Sequence, residues 1–166
     1  MRGYCKPAHG EALSRQAVAG YEKANSSGAG ASSQAILARN LLVAGKLTEA
    51  QSAVAKAAAL VRKSTGEPFR YEVSFADGRV KAKSGKTFEA LSELDATLSS
   101  TRKFGYRLYE YQARFAIGEI ELWSGSPSAH DRLTALEKDA RDDGAFLIAN
   151  LARDLLTQTS AKAKTP

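Results

Sequence analysis

Apolar residues recur at helical spacing through almost the whole chain, and glycines interrupt the runs at regular intervals. The first run, residues 7–24, carries Leu13, Val18 and Tyr21 along one amphipathic helix. Runs over residues 34–44, 47–63, 68–83, 87–103, 106–123, 127–142 and 145–158 predict seven more helices. Gly45, Gly85 and Gly125 each separate two runs and stand a constant forty residues apart. That offset predicts a solenoid of about three helix pairs, with an N-terminal helix before them and a C-terminal capping helix after them. Aromatic and β-branched residues nowhere alternate over a strand-length stretch, so the fold class expected is all-α.

The register holds at other positions. One residue before each glycine lies a small residue, Ala44, Ser84 or Ser124, and seven before it Ala38, Gly78 or Gly118, which allow two helices to approach closely. After the glycine, Glu49-Ala50 matches Glu89-Ala90 and Val54 matches Leu94, while the third copy weakens to Ala129-His130 but keeps Leu133, Leu136 and Ala140. Glu11-Ala12 suggests that the first helix is the second half of a repeat, expected to continue a first half upstream or, alternatively, to serve as an improvised N-terminal cap. Three segments follow: a half-repeat helix and Gly/Ser loop over residues 1–30, helical repeats over 31–159, and a flexible tail over 160–166. The composition of Ser26 to Ser33 reads as loop, with Ser32 or Ser33 capping the next helix. Pro68 and Pro127 open helices, the latter behind Ser126 as cap. The last helix presents Phe146, Ile148, Leu151, Leu155 and Leu156 as a lid.

Gly45-Lys46-Leu47-Thr48-Glu49-Ala50 and Gly85-Lys86-Thr87-Phe88-Glu89-Ala90 resemble the tetratricopeptide repeat (TPR) family. The resemblance covers residues 31–159. It departs in a period longer than the usual 34 residues and in Asp77 and Lys81, which stand where the family places large residues. The wording of Ala116 to Leu122 is similar to TPR arrays that end bacterial signalling proteins. The resemblance implies a cytoplasmic protein-interaction scaffold, without catalysis or cofactor, whose concave face takes a peptide or partner domain. It places Arg39, Arg79 and Glu119 at one inward position and Val43, Lys83 and Trp123 at another, with Glu72 and Gln112 earlier on the same face. Arg and Lys there suit an acidic partner, and Trp123 an apolar anchor. The alternatives are a regulatory segment of a larger kinase or winged-helix regulator, and a nucleic-acid-binding helical repeat.

Charge and chemistry narrow these choices. The net charge is +6, but Glu72, Glu119 and Glu121 interrupt the obvious basic face, which disfavours nucleic acid. Lys81, Lys83 and Lys86 read as a solvated helix end. Cys5 is the single cysteine, so an intrachain disulfide is impossible. Neither an apolar leader nor a membrane-length run is present. Ser84-Gly85-Lys86-Thr87 resembles the end of a phosphate loop, yet Val80 stands where a glycine is needed, and a turn between helices explains these residues. Ser128, His130 and Asp131 hold triad residue types too close in sequence to converge. Asp139, Asp142 and Asp143, interleaved with Lys138 and Arg141, read as solvated surface. Tyr106, Tyr109, Tyr111, Phe115 and Trp123 form an aromatic stripe expected to be mostly core.

Overall fold

A computed structural model describes the backbone of residues 7–162 and the side chains of residues 8–158. Cys5 and residues 163–166 of the expected tail lie outside the described residues. The described residues form eight α-helices and no strand. They are α1 (Pro7–Lys23), α2 (Ser27–Val43), α3 (Leu47–Val61), α4 (Glu67–Lys83), α5 (Thr87–Lys103), α6 (Arg107–Trp123), α7 (Ala129–Asp142) and α8 (Phe146–Lys162). No described helix is long and apolar enough to cross a membrane.

The cadence is finer than the forty-residue offset. The first residues of α1 to α6 follow one another every 20 residues. At each regular joint a single left-handed residue ends the helix: Asn25, Gly45, Gly85, Gly105, Gly125 and Gly144 all have positive φ. Around Gly45, the Lys46 amide donates to the Leu41 carbonyl and the Gly45 amide to that of Leu42. This reverse turn satisfies two carbonyls that a helix end leaves open. The same pair of bonds closes the joints at 25, 85, 105, 125 and 144. One joint differs. Thr65 stands where the cadence would put the left-handed residue, and a β-branched side chain disfavours that conformation. There α3 stops at Val61, and α4 begins behind Gly66 with Pro68 in its first turn.

The chain divides into two compact units, Met1–Ala90 and Leu91–Pro166. In the first, α2 packs against α1, α3 and α4, and α3 packs against α4. Its core is rich in alanine, with Ala31, Ala35, Ala38, Ala50, Ala53, Ala57 and Ala76 buried beside Leu37, Leu41, Val54, Val73 and Val80. Small side chains let helix axes approach, and the long aliphatic residues fill what remains.

The Gly/Ser loop expected before residue 34 is instead the first two turns of α2. A Cβ on Gly28 would lie 2.4 Å from the Phe69 ring, so glycine here makes room for α4 rather than breaking a helix. Ser33 is buried inside α2, and Ser26 occupies its N-cap position without a side-chain hydrogen bond.

The seat of α1 is polar. Asn40 donates from Nδ2 to the Gly10 carbonyl at 2.9 Å and to Ser14 Oγ at 3.0 Å. Forty residues on, Asn40 is matched by buried Val80, and Ser14 by buried Val54. Gly10, not Ala12, is the counterpart of fully buried Ala50; Ala12 is exposed, which corrects the Glu11-Ala12 alignment. Lys46 and Arg15 add ion pairs to Glu11, and Arg15 reaches Glu49. Lys46 and Arg15 hold the Glu11 carboxyl below its ordinary range.

Ser14 is the one buried side chain of α1 among the described residues, so α1 is expected to open before α2 to α4. Replacing Asn40 with alanine is expected to weaken its seat by about 1 kcal/mol. Hydrogen exchange of α1 amides should then quicken about fivefold while those of α3 and α4 hold; unchanged α1 exchange would refute the polar seat.

In the second unit, α6 packs against α7 and α8, which pack against each other. Tyr111, Leu133, Leu136, Ala140, Ile148, Ala149, Ala152 and Leu156 form its core. Leu94 of α5 is also fully buried. Pro127 and Ser128 form a turn ahead of α7 rather than its first residues. Ala129 therefore takes the fully buried place held by Ala50 and Ala90. The close approach expected at Gly118 is real: a Cβ there would lie 2.7 Å from Leu133 Cδ2. Of the expected lid on α8, Ile148 and Leu156 are buried and Leu155 packs against the core, whereas Phe146 and Leu151 are exposed and Ala149 and Ala152 complete the inward face.

Candidate functional site

Within the first unit, Arg39 and Val43 lie one turn apart on α2, and Arg79 and Lys83 hold the same positions on the adjoining α4. Arg39 and Lys83 are exposed, and Val43 is 72% exposed. Glu72 is half-buried. Arg79 departs from the expected surface role. It is 7% exposed, and its Nη1 donates to the Phe75 carbonyl at 2.9 Å, back along its own helix. Asp77 and Lys81, the departures from the family pattern, pair with each other at 2.9 Å.

In the second unit, Gln112 and Glu119 are half-buried on α6 and Trp123 is 38% exposed at its end. Of the aromatic stripe, Tyr111 is core, Phe115 is half-buried, and Tyr106 meets Tyr109 edge to face at 6.1 Å.

A second feature of the first unit carries no sequence motif. A cleft of about 330 Å³ opens between α1 and α3, floored by α2. Val18 and Ala19 line it from α1, Gln34, Leu37 and Leu41 from α2, and Ser52 and Ala53 from α3. Arg15, Glu22, Glu49 and Lys56 supply its charges. Among the described residues its floor holds Gln34, 3% exposed as a whole residue, whose carboxamide opens into the cleft and makes no hydrogen bond to the protein.

Of the acidic run, Asp142 is exposed as expected, but Asp139 and Asp143 are fastenings rather than solvated surface. Asp139 accepts from Arg114 at 2.8 Å, and Asp143 from Arg107 at 2.8 Å and from the Tyr111 hydroxyl at 2.5 Å. The Arg107 guanidinium also stacks on the Tyr111 ring at 4.8 Å. These contacts tie α6 to α7. Tyr111 and Arg107 hold the Asp143 carboxyl below its ordinary range. Burial, reinforced by Asp143, pushes the Tyr111 hydroxyl up to about 12. Burial raises the Glu110 carboxyl too, but hydrogen bonds from Arg102 and Arg107 outweigh it and leave it below its ordinary range.

Other constellations dissolve on inspection. Ser84 to Thr87 are a helix end, a left-handed glycine and a helix start. Ser128, His130 and Asp131 are all exposed at the start of α7. No group of three or more His, Cys, Asp or Glu side chains among the described residues is arranged to hold a metal ion. No family model, curated protein or solved structure matches this chain.

Proposed function

We propose that this chain is a TPR-like solenoid that works in the cytoplasm as a protein-interaction scaffold, binding an extended segment of a partner without catalysing a reaction. The single observation that supports this best is Val43, a large apolar side chain 72% exposed, with Arg39 one turn before it and Lys83 at its own position on the adjoining helix. An apolar side chain flanked by cations suits a segment that alternates carboxylates with a hydrophobic anchor. Helix pairs repeated every forty residues support the scaffold reading, because stacked pairs present equivalent positions in rows. Glu72 extends the candidate surface within the first unit, and Gln112, Glu119 and Trp123 are the candidate contact residues of the second. Arg79 drops out of it as a contact residue.

Peptide display against the full chain tests the reading. Enriched peptides are expected to carry acidic residues around an apolar one, and a double variant, Arg39→Glu with Lys83→Glu, should weaken them at least about tenfold. Enrichment without acidic character, or binding indifferent to the reversal, would overturn it.

A further inference from the structure

The cleft between α1 and α3 does not involve Arg39, Val43 or Lys83 and raises a separate question. Its floor holds an amide that the fold leaves unpaired. Gln34 is nearly enclosed, and its carboxamide, one acceptor oxygen and one donor nitrogen, makes no hydrogen bond among the described residues. The amide atoms are not among the fully buried ones, so they open into the cleft, where an occupant with one donor and one acceptor can bond them in place of water. Ala19, Ser52 and Ala53 explain why space exists: side chains this short cannot fill the gap between two helices.

The charges say what kind of occupant. Arg15 and Glu49 are already used, since Arg15 is paired with both Glu11 and Glu49 and ties α1 to the first turn of α3. Glu22 on α1 and Lys56 on α3 are different. Neither makes an ion pair or side-chain hydrogen bond among the described residues, and they bring opposite charges from opposite walls. A plain anion would face Glu22, and a plain cation would face Lys56. A molecule with an ammonium at one end and a carboxylate at the other satisfies both.

We propose that this cleft binds a short apolar peptide of dipeptide size by both of its ends. The ammonium meets Glu22, the carboxylate meets Lys56, the peptide group pairs with Gln34, and an apolar side chain rests on Val18, Leu37 and Leu41. At about 330 Å³ the space lies at the lower end of the range for small-molecule sites. Because one wall is α1, held by the Asn40 and Ser14 contacts, occupancy also tightens the docking of that helix.

The test is calorimetric titration of the full chain with L-leucyl-L-leucine, beside its N-acetylated, C-amidated form. Saturable binding of the free dipeptide is expected, with at least about tenfold weaker binding of the blocked form. Glu22→Gln and Lys56→Gln, both on exposed residues, should each weaken the free dipeptide by a similar factor. Gln34→Leu should abolish binding while leaving thermal stability unchanged or raised, because it removes an unpaired amide. Bound dipeptide should slow hydrogen exchange in α1. No saturable binding, equal binding of the blocked form, indifference to the Glu22 and Lys56 changes, or marked destabilisation by Gln34→Leu would each overturn the proposal and leave the cleft to water.

Discussion

Leu133→Ala is expected to destabilise the second unit by about 2–5 kcal/mol, and to reverse the sign of a change made on the facing helix. Leu133 is fully buried, and a methyl group on Gly118 would sit 2.7 Å from its Cδ2 and 2.8 Å from its Cγ. In the wild type, Gly118→Ala gains about 1 kcal/mol of helix propensity but forces Leu133 out of place, at a cost of about 1–3 kcal/mol. Leu133 has no free direction to move, since it is enclosed with Leu136, Ala140 and Ile148 in one core. The net effect is destabilising. Once Leu133 is alanine the collision disappears, and Gly118→Ala becomes stabilising by partly filling the cavity. Urea denaturation of the four proteins in this cycle should give a coupling of about 1–3 kcal/mol. Additive effects would mean that α6 and α7 do not interlock at this point.

Gly118 was visible in the sequence as a place of close approach, because its counterparts Ala38 and Gly78 are small too. What packs there was not, since the partner comes from another helix and no spacing rule names it. The same division runs through the chain. Thr87, Tyr106 and Trp123 mark helix limits to within a residue because turn glycines and apolar spacing act locally. The start of α2 was hidden because glycine and serine signal loops by composition, whereas Gly28 is small for the sake of Phe69. Arg79 matched Arg39 in position yet differs from it in burial: a repeat copies a place on a helix, not the neighbours of that place. Asp139 and Asp143 looked solvated because the cations they hold, Arg114 and Arg107, lie on another helix. The cleft at Gln34 had no signature, because a space is made by side chains that stop short.

Above its ordinary titration range, Tyr111 is expected to make the second unit unusually alkali-sensitive. The hydroxyl ionises at about 12 in the folded chain against 10 for a free tyrosine. Between those values the unfolded chain has released this proton and the folded chain still holds it. Each rise in pH therefore favours unfolding, with a slope of at most about 1.4 kcal/mol per pH unit. Tyr111→Phe should lose about 1 kcal/mol at neutral pH, where the hydrogen bond to Asp143 is missing, and should then lose less stability than the wild type between pH 10 and 12. On the acid side the sign reverses. The depressed carboxyls of Asp143 and Glu110 contribute stability that is complete above the ordinary carboxylate values of 3.8 and 4.5, and it drains away as pH falls through their lower folded values. Denaturant midpoints across pH, read on wild type and Tyr111→Phe together, check both limbs. Parallel alkaline curves for the two proteins would remove Tyr111 from the account.

The cadence of one helix every 20 residues carries a consequence for how such a chain lengthens or shortens in descent. Losing or duplicating a single helix with its joint would leave the turn bonds of the other joints intact, yet each later helix would shift by half of the forty-residue period, out of register and beside the wrong neighbour in its own unit. Losing or duplicating two restores both. The glycines therefore mark where the gene can be cut without damaging a turn, while the pairing of helices decides which cuts leave a protein that still folds. Between Val61 and Glu67, where the left-handed residue is missing, even that freedom lapses, and this joint has to be inherited with the helices on either side of it.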